Sequence, residues 1–187
     1  MPPTTVRFPS MLVFAATALV LAVASPRPHA APLSDQPGTA MAGDGDVMFL
    51  RKAAMAGTLE INASSLAQSR ASNASVKSFA AQMLQDHRAA EANLKKQAER
   101  LGIQLPATPL PKDQQTLARL GQLKGAEFDR AYAQEVGVDA HQDAVALFRK
   151  AADDAKDDGV KSFARQTLPT LQHHLDMAQK MAAQLKP

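Results

Sequence analysis

Along most of this chain the apolar residues recur every three or four positions, the period of a helix with one face turned inward. The first stripe, Phe49, Ala53, Ala56, Glu60, Ala63 and Ala67, predicts a helix from about Asp46 to Arg70. Ser72-Asn73 reads as a short turn. A second stripe, Val76, Phe79/Ala80, Met83, His87, Ala90, Leu94, Ala98 and Leu101, predicts a helix from about Ser75 to Leu101, with Gly102 as its stop signal. A third, Phe128, Ala131/Tyr132, Glu135, Val138, His141, Val145 and Phe148, predicts a helix over about 126–152. A fourth, Val160, Phe163/Ala164, Thr167, Leu171, His174, Ala178 and Met181, predicts one over about 159–185. Pro169 lies inside the last of these, where its missing N–H should kink the helix or open one backbone hydrogen bond.

Between the second and third helices the stretch 102–112 is Pro-rich and extended, a short helix is expected over about 113–123, and Gly125 marks a break. The segment Val76-Lys77-Ser78-Phe79-Ala80 recurs as Val160-Lys161-Ser162-Phe163-Ala164, each copy opening a long helix after a polar turn. Two αα-hairpins of common plan follow from that placement. The connection between them is long for a bundle loop, and an extended stretch plus a short helix can run the length of a bundle. The expected fold is therefore all-α: a ferritin-like four-helix bundle of two αα-hairpins joined by a long crossover containing a short helix. Simple up-down-up-down connection is the alternative.

The first 24 residues break the period. Arg7 precedes the uncharged run Met11 to Ala24, and Ala22-Val23-Ala24 has the small-x-small pattern of a cleavage site, so residues 1–24 read as a signal peptide. The run has 14 residues, short of the roughly 20 needed to cross a bilayer, so no integral span is expected once the leader is removed. Cleavage near Ala30-Ala31 and an uncleaved anchor are the alternatives. Residues 25–45 carry Pro, Gly, Ser and Ala without an apolar period and read as a flexible linker, leaving 46–187 as the bundle domain. The expected location is the periplasm or cell envelope.

Composition narrows the chemistry. Aromatic residues make up 4% of the 187, with no Trp and one Tyr, which favours helix on helix over sheet. A net charge of +3 without a Lys/Arg run argues against nucleic-acid binding. Cys is absent, so the domain has no disulfide and must be held by core burial. With no Cys, Ser elbow or phosphate loop, an enzyme such as a metal-dependent oxidase ranks last among the functional readings.

The polar residues on the stripes carry the sharper hypothesis. Glu60, His87, His141 and His174 each fall mid-helix on a face that should turn inward, one per helix. Such groups are costly to bury unless paired or metal-bound, and one per helix is what a site at the centre of a bundle needs. Glu60 and His87 count to the same level from their turn, whereas His141 and His174 differ by about one helical turn, roughly 5 Å. As a set they are candidate ligands of one divalent ion, Zn²⁺, Mn²⁺, Fe²⁺ or Cu²⁺. Asp86, Asp129 and Tyr132 are candidates for a supporting shell. The competing reading is a metal-free polar core, each His bonded to a neighbouring Asp or Tyr. His173 is expected at the surface, and Met48, Met55, Met83, Met177 and Met181 as packing residues.

Several pieces in order, Phe49 to Glu60, Lys77-Ser78-Phe79-Ala80 with Met83 and Asp86-His87, Gly125 to Tyr132, His141, and Leu168-Pro169-Thr170-Leu171 with His174, resemble the bacterial domain of unknown function family 4142 over about residues 46–182. The resemblance implies an exported, ferritin-like bundle of no established activity. It departs from di-iron ferritins, whose sites need Glu-x-x-His pairs: Leu84 and Leu171 stand where those Glu would be, which argues against a ferroxidase centre. Two readings remain: a metal-binding module, or a structural or stress-related envelope protein with a protein partner or a second copy of itself.

Overall fold

The computed structural model of the chain describes residues 42–186. The leader, its cleavage positions and nearly all of the stretch read as a linker lie outside them. The stripes form α1 (Asp44–Arg70), α2 (Ala74–Arg100), α3 (Pro111–Leu120), α4 (Gly125–Tyr132), α5 (Ala140–Asp154) and α6 (Asp158–Gln184). A π-helical segment, Ala133–Asp139, joins α4 to α5 without a break in the helical rod. No strand occurs among the described residues, and no helix there is long and apolar enough to cross a membrane.

Local chemistry sets the ends. Asn73 caps α2, its side chain accepting from the Ser75 and Val76 N–H groups, and Asp157 caps α6 by accepting from Val160 N–H. Past α2, Gly102 takes a left-handed φ of 65°. That conformation lets Ile103 N–H reach Ala98 O and Gly102 N–H reach Glu99 O, a Schellman closure that ends the helix. Pro111 opens α3 at a position where its missing N–H does no harm. Pro169 neither ends nor breaks α6, which continues to Gln184; it sits exposed on the outer face.

Contacts at the two ends of the bundle fix the topology. Asp46, at the start of α1, accepts from Lys156 N–H (3.1 Å) and Asp157 N–H (2.9 Å) in the α5–α6 turn. Asp129, near the start of α4, accepts from Ser72 N–H (3.1 Å) and Asn73 N–H (2.9 Å) in the α1–α2 turn. The α4–α5 rod therefore runs antiparallel to α1. Arg100, at the end of α2, pairs with Asp157, so α2 and the rod run parallel. Residues 101–124 must return along the whole bundle to allow this, and α3 packs on α1 and α4 on the way. The result is the one-crossover, ferritin-like arrangement.

The repeat occupies equivalent places: Val76 and Val160, Phe79 and Phe163, Ala80 and Ala164 are all buried. Two apolar clusters fill the bundle. One holds Phe79, Met83, Phe128, Tyr132 and Val136 near the α1–α2 turn; the other holds Phe49, Leu94, Phe148, Phe163 and Leu171 near the α5–α6 turn. Each long helix passes from one cluster to the other through a single polar core residue: Glu60, His87, His141 or His174.

Two expectations need correction. Glu135 lies off the core face, half-buried and paired with Arg119 of α3, because the π-helical segment turns Val136, Gly137 and Val138 inward instead. Met48 is 56% exposed rather than a core residue, whereas Met83 and Met181 are buried.

Candidate metal centre

Glu60 on α1, His87 on α2, His141 on α5 and His174 on α6 meet in one buried layer. The ring centroids of the three His are 5.4–5.5 Å apart in every pairing. One ring nitrogen of each lies within 4.8 Å of those of the other two. The one-turn offset between His141 and His174 is absorbed because Cα–Cβ bonds tilt toward the helix N-terminus. On antiparallel α5 and α6 the two side chains therefore lean toward each other.

Each imidazole has one nitrogen held and one free. His87 Nδ1 donates to Glu60 Oε2 (3.1 Å), His141 Nδ1 to the Val136 carbonyl (2.9 Å), and His174 Nε2 to Asp86 Oδ2 (2.9 Å). These acceptors place the proton on the bonded nitrogen and leave a lone pair on the other. The nitrogens without a partner are His87 Nε2, His141 Nε2 and His174 Nδ1, all buried. A buried polar atom without a partner is uncommon, and three on adjacent rings call for a common explanation.

Glu60 completes the layer, and its Oε1 is a fourth buried atom without a hydrogen-bond partner. Its two short contacts, with His87 Nδ1 and with His141 Nδ1 (3.8 Å), are both to the nitrogen opposite the free one. Through Oε2 the carboxylate orients His87, and it sets the charge of the layer. Asp86 does the same for His174, and Gln82 Nε2 holds the Asp86 carboxylate in turn (2.7 Å). Asp129 and Tyr132 do not join this shell. Asp129 is committed to the α1–α2 turn, and the Tyr132 hydroxyl pairs with Ser64 Oγ at 2.8 Å while burial pushes its pKa up. His173 is exposed, as expected.

The charges follow from these pairings. Burial pushes the Glu60 carboxyl up, but His87, by charge and hydrogen bond, with His141 and His174 adding, holds it below its ordinary value. Burial pushes His87 down, and Glu60 beside it more than reverses this, leaving it raised. His141 is lowered, chiefly by burial. His174 is lowered to about 4, first by burial and then by its His neighbours, against the Asp86 hydrogen bond. Near neutral pH, His141 and His174 are uncharged and available as donors.

The sequence stripes did not reveal the π-helical segment or the Val136 carbonyl. An i→i+5 turn holds one residue more than an α-turn, and such bulges are frequent at functional sites. One signal was available. Asp46 precedes Asn73 by 27 positions, whereas Asp129 precedes the equivalent Asp157 by 28, one residue more for the same span.

Fold and site together define a one-crossover helical bundle with a buried three-histidine layer. The chain belongs to the family described as domain of unknown function (DUF4142), matched over residues 31–181. Among solved structures it is similar to a DUF305 fragment from Deinococcus radiodurans, at 17% identity and a TM-score of 0.68, covering 76% of this chain and 98% of that one. A putative secreted DUF305 protein from Streptomyces coelicolor is similar at 14% identity and a TM-score of 0.65, covering 75% and 92%. At these identities the likeness is one of fold alone. No curated protein matches the chain.

Proposed function

We propose that the protein is an exported metal-binding module that holds one divalent transition-metal ion through His87, His141 and His174. The observation that carries this reading is the set of three buried, unpartnered ring nitrogens, each opposite a nitrogen already held by a carboxylate or carbonyl. Outer partners of this kind are the usual companions of ligating imidazoles. Metal–nitrogen bonds of about 2.1 Å put three ligands of a tetrahedral ion about 3.4 Å apart, so ring nitrogens now within 4.8 Å of one another would close in by about 1.4 Å or less on binding. Glu60 and Asp86 supply two negative charges to balance a dication. An all-imidazole donor set favours Zn²⁺, Cu²⁺ or Fe²⁺ over Mn²⁺, which prefers oxygen. Storage or buffering of such an ion in the cell envelope fits a leader of the kind read at residues 1–24.

Elemental analysis of untagged protein tests this directly. About one equivalent of metal is expected, absent from His87→Ala. Metal-free protein whose melting temperature does not move on adding Zn²⁺ or Cu²⁺ would sink the proposal. The competing metal-free polar core is supported by the Glu60–His87 and Asp86–His174 pairs, yet it leaves the three inner nitrogens unexplained. It expects His87→Ala to lower stability equally with and without added metal.

A further inference from the structure

The three-histidine layer is not sealed. A cavity of about 200 Å³ runs in between α2 and α6, with exposed Asn93, Gln166 and Thr170 at its mouth and buried His87 and His174 at its floor. His174 is 1% exposed and His87 6%, so the floor is deep while the mouth is open to solvent. Three ring nitrogens are left without a partner in the layer, and the contacts of Glu60 with His87 (3.1 Å) and His141 (3.8 Å) are to Nδ1, the nitrogen opposite the free one, although its Oε1 is also unpartnered. Three protein donors with a free fourth position are the pattern of metal sites that exchange a ligand, whereas structural ions are closed by four.

We propose that the metal held by this trio keeps one coordination position facing the α2–α6 cavity, where it takes a small ligand from solvent: water or a small monoanion. This rests on the metal reading above. The cavity is smaller than the roughly 300–1,000 Å³ typical of sites for drug-sized molecules, which limits the ligand to a few non-hydrogen atoms. Its mouth offers amides and a hydroxyl and no cation. The one acidic group there, Asp86, is already occupied by Gln82 and His174, so the metal itself is the feature that attracts an anion.

The test uses the full chain loaded with Cu²⁺ and titrated with azide, read by the azide-to-copper charge-transfer absorption. A saturable new band is expected. Two variants narrow the cavity without touching a histidine: Ala90→Leu on its α2 wall and Thr170→Phe at its mouth. Both should retain copper, and the azide on-rate should fall about tenfold or more where access is obstructed. Thr170→Phe changes an exposed residue and keeps the test valid if Ala90→Leu does not fold. Copper retained with no azide band overturns the open position and leaves the metal reading standing. A band that forms equally fast in both variants overturns the α2–α6 route. Failure to retain copper at all overturns both proposals.

Discussion

The two hairpins close in the same way but are not copies. In each, an Asp from the first helix of one hairpin accepts two backbone N–H groups from the turn of the other: Asp46 for 156–157, Asp129 for 72–73. In each, the following residue cap and the Val-Lys-Ser-Phe-Ala segment are superimposable in role. Between those fixed points the second hairpin carries one residue more, taken up by the π-helical segment ahead of His141. The first hairpin contributes Glu60 and His87 from regular helix, and the second obtains an extra carbonyl, Val136 O, aimed at an imidazole. The common plan of the two hairpins is thus asymmetric at its centre, where the histidines lie, and matched at its ends.

Removing that asymmetry should have the largest effect. Deleting the exposed Gln134 makes the second hairpin as long as the first, and a regular helix there turns His141 by about 100° relative to Asp129. Helicity by circular dichroism should persist while stoichiometric Zn²⁺ binding by calorimetry disappears; unchanged binding would mean the extra residue does not position His141. The reciprocal caps come next. Asp129→Ala strands the two turn amides and the Ser72 hydroxyl, and Asp46→Ala strands two amides, so urea melts should lose about 3 and about 2 kcal/mol respectively. A reversed order would break the comparison.

Glycines offer a finer contrast. A Cβ on Gly137, in the π-helical segment, would lie 2.8 Å from Ala178 Cβ, whereas one on Gly57 in α1 meets nothing within 4 Å. Gly137→Ala should destabilise by about 1–3 kcal/mol and Gly57→Ala should stabilise by up to about 1 kcal/mol, read by thermal melts.

The smallest effect is in pH, where the hairpins oppose each other. His141 and His174 have folded pKa values below 6.5, so their contribution is present above pH 6.5 and lost as pH falls toward about 4. His87 is raised, so its contribution is present below pH 6.5 and lost as pH rises through its folded value. Glu60, Asp86 and the other two rings are the charged or titratable neighbours that set these directions. Metal-free protein should therefore show a melting-temperature maximum, with the acid limb flattened by His174→Asn and the alkaline limb by His87→Asn.

Much of this molecule was legible in its sequence because apolar period and capping chemistry are local. Helix limits read from the stripes fall close to the observed ones, and the repeated segment announced two hairpins. That Glu60, His87, His141 and His174 share a layer followed from each lying mid-helix on an inward stripe. What could not be read depends on contacts between hairpins. Asp129 looked like a histidine partner because it lies on a helix near the stripe, but its carboxylate serves a turn 56 residues away. Glu135 looked like core because a 3.6-residue count cannot register a turn of another pitch.

The exchanged Asp caps also bear on how the chain comes to be folded. Two amides of each turn are taken from the other hairpin: those of 72 and 73 by residue 129, and those of 156 and 157 by residue 46. A fragment ending at the crossover would hold the residues of a hairpin without the group that closes it, so assembly should proceed in one concerted step once both halves are present. A chain extending residue by residue would leave its first half unlocked until the second arrives.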